Sequence, residues 1–173
     1  MKTTRLFLRP AQIEDAEKLE SFYQENHTHF APWESPYKNV AAQLYQWVCE
    51  ETEGTGVRFL LFNPEEEVIG LCNFTQIFRG PFQACYLGYK IGERYEGQGL
   101  MFEALTQAIP YMFEQLNLHR IMANYMPSNT RSARLLERLG FKIEGLAKNY
   151  LLINGKWEDH VLTSLVNPDW KPL

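Results

Sequence analysis

A glycine-bearing turn, set between an apolar run and a helix-forming segment, most limits what this chain can become. The apolar run is Cys85 to Ile91, the turn holds Arg94-x-x-Gly97-x-Gly99, and a helical pattern starts at once with Leu100 and Met101. Strand, glycine turn and helix in that order aim several unpaired backbone N–H groups at one spot, together with the positive end of a helix dipole. Such a spot binds phosphate. Gly97 and Gly99 lack a Cβ, so the backbone there can turn unusual angles and come close to a pyrophosphate. The N–H groups of Gly97, Gln98, Gly99, Leu100 and Met101 are the expected cradle, and Arg94 can add charge or simply be a solvated turn residue.

The pattern is not a dinucleotide fingerprint, which needs a third glycine and an acidic residue about 20 positions on. Phe102 stands where that third glycine belongs, and no Gly-Lys-Ser/Thr follows, which argues against a P-loop nucleotidase. A second segment supplies the missing context. Arg120 to Tyr125 reads as a strand, followed by Asn129-x-x-Ser132-Ala-x-x-Leu136-x-x-x-Gly140-Phe141. Asn129 can cap the helix between, and Gly140 can end it in the left-handed conformation.

The chain's 173 residues fit one domain, taken as 1–173, and 45% apolar residues allow a substantial core. A net charge of −4 without any Lys/Arg run argues against a nucleic-acid surface and fits a basic partner. No signal-type segment and no apolar stretch of spanning length is visible, so a cytoplasmic protein without a membrane partner is expected. Cys49, Cys72 and Cys85 lie in apolar-patterned segments and read as buried free thiols. No Cys/His grouping has metal-ligand spacing, and no metal is expected.

The pattern predicts a strand over Leu6 to Arg9 stopped by Pro10, and a helix over Glu14 to Tyr23. An aromatic loop from Asn26 to Asn39 and a helix from Val40 to Glu53 capped by Asn39 follow. Strands are expected over Val57 to Phe62, Val68 to Phe78 and Ala84 to Ile91, then a helix that Pro110 should kink. After the capped helix come strands over Phe141 to Ile153 and Lys156 to Val166, joined by a type I′ turn at Asn154-Gly155. The order predicts an α/β (α+β) fold, a mixed, mostly antiparallel sheet with helices on both faces.

The two signatures together resemble those of the GNAT acetyltransferases. Within that superfamily the chain is similar to the ribosomal-protein-alanine N-acetyltransferases, the RimJ/RimL group, most of all its RimJ branch. The resemblance rests on Thr4-Arg-Leu-x-Leu-Arg9, Pro32-Trp33-Glu34, Ala84-Cys-Tyr-Leu-Gly-Tyr89, Gly97-Gln-Gly-Leu-Met-Phe-Glu-Ala-Leu105, His119 to Met126, Tyr150-Leu-Leu-Ile and Trp157-x-Asp-His-Val-Leu162. It implies the GNAT fold of seven strands with splayed central strands, and acetyl-CoA as donor. The implied acceptor is a protein N-terminal amine, for the RimJ branch the alanine of small-subunit ribosomal protein five. It also implies that Tyr89, Lys90 and Ile91 pair their backbone with the donor's pantetheine arm, and that Asn129 and Ser132 belong to the donor site.

The resemblance maps a serine acid onto Ser132. The glutamate base that many relatives carry is missing, since Cys85-Tyr86-Leu87 and Leu151 stand at the corresponding places. Glu34 or an ordered water is the expected proton acceptor, the other reading of Glu34 being a solvated loop carboxylate. Trp33, Glu34, Tyr37, Tyr125 and Tyr150 are the expected walls of the acceptor groove, although each aromatic also suits a core. His160 reads as a hydrogen-bonding strand residue. Two other functions fit the same residues: acetylation of a small-molecule amine, or non-catalytic acyl-CoA binding in ribosome assembly.

Overall fold

The computed structural model of the chain describes residues 1–35 and 39–172. Its elements are β1 (Phe7–Pro10), a 3-10 turn (Ile13–Asp15), α1 (Ala16–Phe30), α2 (Val40–Thr52), β2 (Val57–Phe62), β3 (Val68–Phe78), β4 (Ala84–Ile91), a second 3-10 turn (Glu93–Tyr95), α3 (Leu100–Glu114), β5 (Arg120–Tyr125), α4 (Thr130–Arg138), β6 (Lys142–Ile153) and β7 (Lys156–Val166). The strands form one seven-stranded sheet in the order β1-β2-β3-β4-β5-β7-β6. Every neighbouring pair is antiparallel except β4 and β5. The fold is thus the mixed, mostly antiparallel α/β arrangement expected from the sequence.

Alternation along β2 explains the two layers. Val57, Phe59 and Leu61 join Phe74, Leu87, Leu105, Met112 and Leu136 in the core beneath α3 and α4. Leu60 and Phe62 join Leu19, Phe22, Phe30, Leu44 and Trp47 beneath α1 and α2. A strand covered on both faces is apolar at nearly every step, the exception in β2 being the buried Arg58, which is ion-paired with Glu50. Burying each large apolar side chain stabilises the fold by about 1.5–3 kcal/mol.

Several boundaries differ from expectation for identifiable reasons. Helix α1 runs on to Phe30 where a loop from Asn26 is expected, because Phe22, Asn26 and Phe30 share one buried face. Asn26 Nδ2 donates to the Phe22 carbonyl at 2.8 Å, so the residue that looks like a helix breaker is bonded within the helix. Pro10 ends β1 rather than stopping it earlier, since β1 is an edge strand and Pro10 pairs only with Phe59 of β2. Helix α3 continues through Pro110. Pro110 and Thr106 are both exposed, so the carbonyl that loses its helical donor is open to water.

The other local expectations are met. Asn39 and Asn129 accept from the N–H groups of Ala42 and Ser132, as helix caps do. At the end of α4, Phe141 N–H bonds to the Leu136 carbonyl and Gly140 N–H to that of Glu137, with Gly140 at φ +91°, a Schellman ending. Asn154 and Gly155 have φ of +49° and +80°, as a type I′ turn requires. Among the described residues no helix is long and apolar enough to cross a membrane.

Candidate active site

The site begins where β4 and β5 part. Only Ala84, Cys85 and Tyr86 pair with β5, opposite Arg120, Ile121 and Met122. Among the described residues, none pairs as a strand with the β5-facing edge of β4 from Leu87 to Ile91, although β4 stays paired with β3 to its end. Tyr89, Lys90 and Ile91, the residues expected to offer backbone to a ligand, lie on this open edge. The central strands are therefore splayed.

The glycine loop closes one end of the gap. Its base is pinned by Asn26, whose Oδ1 accepts from the Glu93 N–H at 2.8 Å. Gly97 and Gly99 are exposed and left-handed, at φ +71° and +76°, and Gly99 is the N-cap of α3. The first helical bond of α3 runs from Glu103 to the Gly99 carbonyl. Among the described residues, no protein acceptor takes the N–H groups of Gly97, Gln98, Gly99, Leu100 or Met101. They remain available at a helix N-terminus, a site built for an anion.

Charged side chains surround this loop. Arg5 buckles the N-terminal segment onto it: Nη1 donates to the Gln98 carbonyl at 2.8 Å, and Nε to Glu103 Oε2 at 2.8 Å. Arg94, read either as extra positive charge for the ligand or as a solvated turn residue, is solvent-exposed and pairs with Glu25 of α1 at 2.9 Å. Glu96 reaches Arg131 at the start of α4 and lies 3.2 Å from His29 Nε2.

Two faces of the gap carry different chemistry. On the α3/α4 side, the Tyr89 hydroxyl meets Ser132 Oγ at 2.6 Å, while the Ser132 N–H is held by Asn129 Oδ1 at 3.1 Å. Burial pushes the Tyr89 phenol up to about 12, against the opposing pull of its bond to Ser132. Tyr125 packs against the same core as Tyr89. Of its two expected roles, groove wall or core residue, this packing fits the second.

On the α1/α2 side, Tyr150 accepts from Asn124 Nδ2 at 3.2 Å and lies 5.5 Å from the His160 ring. Burial, and then a hydrogen bond with Tyr86, raise the Tyr150 hydroxyl above its ordinary range. The buried His160 has Nδ1 3.1 Å from the Glu158 carbonyl, which fits the bonding role expected for it. Glu34 is ion-paired with Lys90, whose ammonium lies 5.2 Å from the Tyr23 ring and 5.4 Å from that of Phe30. Burial pulls the Lys90 ammonium below its usual range, and Glu34 opposes that pull. Trp33 is exposed beside Glu34. Tyr37, also expected in the groove, falls outside the described residues.

Arg5, Tyr86, Asn124 and the Lys90 ammonium escape sequence reading because their partners are distant in the chain. The thiols are unpaired: Cys72 and Cys85 are buried, whereas Cys49 is partly exposed, contrary to expectation. No cluster of three or more metal-ligating side chains occurs among the described residues.

A split parallel pair with a glycine-capped helix at its mouth defines an acyl-carrier transferase scaffold, and the sequence matches the Acetyltransferase (GNAT) domain family over residues 5–142. The chain belongs to this family and is an N-acetyltransferase. It is 48% identical to the ribosomal protein uS5-alanine N-acetyltransferase of Escherichia coli (strain K12), an alignment covering 99% of this chain and 93% of that protein. The ribosomal-protein-S5-alanine acetyltransferase structure from Vibrio fischeri superposes with a TM-score of 0.95 at 38% identity, covering 99% of this chain and 98% of that one. Mycobacterium smegmatis RimJ in complex with CoA-disulfide superposes at 0.87 with 25% identity, covering 96% and 84%.

Proposed function

We propose that this enzyme transfers an acetyl group from acetyl-CoA to the N-terminal alanine of ribosomal protein uS5. The observation that carries the donor half is the set of unpaired N–H groups from Gly97 to Met101, placed at the mouth of the split between β4 and β5. These groups fit a diphosphate, and the open β4 edge from Leu87 to Ile91 fits the amides of a pantetheine arm. The acceptor half rests on the near full-length relation to uS5-alanine acetyltransferases. Trp33 and the Tyr86–Tyr150–Asn124 group form its groove, and Tyr125 belongs with the core.

Acetyl-CoA supplies a thioester carbonyl, and the chain's own groups do the rest. A backbone N–H on the open edge of β4 donates to the developing oxyanion. The acceptor nitrogen bonds to the carbonyl carbon, and the carbon–sulfur bond breaks with its electron pair leaving on sulfur. Ser132 Oγ is the hydrogen-bond donor to that sulfur.

The nitrogen's surplus proton needs only a weak acceptor. An α-amine with a pKa near ~8 is roughly one-tenth neutral at pH 7, against about 0.04% for a lysine side chain. Glu34 is already engaged in an ion pair with Lys90. We therefore assign the proton to solvent water and Glu34 to holding the acceptor loop in place.

Acetylation of synthetic peptides differing in their first residue, scored by mass spectrometry, tests this reading. The peptide with the uS5 alanine N-terminus is expected to exceed its variants and spermidine in kcat/KM by more than tenfold. Preference for a small amine overturns the acceptor assignment.

A further inference from the structure

Two hydroxyls bridge the split. Tyr89 stands on β4 and Ser132 in the first turn of α4, and their oxygens are 2.6 Å apart. Ser132 Oγ has no other hydrogen-bond partner among the described residues. A serine hydroxyl has one proton to give and two lone pairs. Whichever way the bond runs, one of the two hydroxyl protons has no acceptor among the described residues. If Tyr89 donates, the Ser132 proton is left for whatever occupies the split. The Asn129 cap fixes the Ser132 backbone, and the N-terminal end of α4 favours negative charge beside it.

Resting on the donor site proposed above, we propose that Tyr89 is a positioning residue that donates to Ser132 Oγ, so that Ser132 turns its proton to the leaving sulfur and the pair holds that sulfur as a thiolate. No proton crosses in this step. The carbon–sulfur electron pair stays on sulfur, and solvent protonates it later. Full transfer is disfavoured by acidity: a thiol near ~8.5 is a stronger acid than an alcohol or this phenol. A charge-assisted hydrogen bond, strengthened by the second hydroxyl behind it, suffices. Burial suits Tyr89 to the task by keeping the phenol protonated, with its pKa pushed up to about 12.

The test compares binding of CoA and of desulfo-CoA, which lacks the thiol, from about pH 6 to about pH 9, a range spanning thiol ionisation. In the wild type, CoA is expected to gain about tenfold in affinity over desulfo-CoA as pH rises. Tyr89→Phe and Ser132→Ala should each flatten that gain while leaving desulfo-CoA affinity within about twofold, which also reports a folded site. In turnover each should lower kcat about tenfold at unchanged KM for acetyl-CoA, and the double variant should be no slower than Ser132→Ala. A pH-dependent gain that survives Tyr89→Phe overturns the inference, as does a wild type with none. A wild type that binds neither compound removes the donor site itself, which sets that failure apart.

Discussion

Asn154, at the tip of the β6–β7 hairpin, donates from Nδ2 to the carbonyl of Ala31 at 2.6 Å, 123 positions earlier in the chain. This bond ties the far hairpin to the segment bearing Trp33 and Glu34, which Lys90 holds from the opposite side. The segment proposed to line the acceptor groove is thus fastened at two points among the described residues. Asn154→Gly keeps the left-handed turn and removes the bond. Steady-state kinetics should show the peptide KM rising several-fold, with the KM for acetyl-CoA unchanged.

Glu34→Gln separates anchoring from base catalysis. With a water acceptor, kcat should stay within about threefold of wild type. The logarithm of kcat/KM for the peptide should still rise with pH until the α-amine is neutral, near pH ~8. The variant leaves the Lys90 ammonium without its carboxylate, so a stability loss of about 1–3 kcal/mol is expected by chemical denaturation, allowing for the partial exposure of Glu34. A hundredfold fall in kcat with loss of the acidic limb would make Glu34 the base.

Arg5 shapes the glycine loop without being part of it. Its bonds to the Gln98 carbonyl and to Glu103 hold the loop against the first turn of α3. Arg5→Ala should raise the KM for acetyl-CoA about five- to tenfold and leave kcat and the peptide KM near wild type. It also leaves Glu103 uncompensated near the expected diphosphate, so adding salt should narrow the difference.

Acid sensitivity should centre on Asp15. Its carboxylate is buried and accepts two bonds from Arg9, at 2.7 and 2.8 Å, and one from the Gln12 N–H. Desolvation works to raise its pKa, but Arg9 and the backbone bond prevail and hold it below the usual carboxylate value. The unfolded chain therefore takes up this proton first as pH falls. The contribution is complete above the unfolded value of 3.8 and drains away as pH drops through the lower folded one. Arg9→Met should cost about 2–3 kcal/mol at neutral pH and weaken the pH dependence below about 4, read from urea midpoints at several pH values.

Features that depend on neighbours in sequence were legible before the fold was known. The left-handed Gly97 and Gly99, the caps at Asn39 and Asn129, the Gly140 ending and the Asn154-Gly155 turn each follow from one residue's conformational preference. Asn26 misled because its helical context is set by burial and by Glu93, 67 positions away. The ion pair of Arg94 was hidden for a similar reason, since its partner Glu25 lies 69 positions back. The Tyr89–Ser132 contact spans 43 positions and needs both the register of β4 and the start of α4. Likeness to a family supplied the splayed strands; no local pattern marks where a ladder will stop.

Because β4 and β5 are joined by only three residue pairs, the sheet is mechanically two leaves, one of four strands and one of three, stitched along a short spine at Ala84 to Tyr86. A guest lying in the open seam acts as a temporary eighth strand and fastens the leaves to each other. Amide exchange at Leu87 to Ile91 should then slow on occupancy more than anywhere else in the sheet, and the catalyst's rigidity becomes something its own substrate confers.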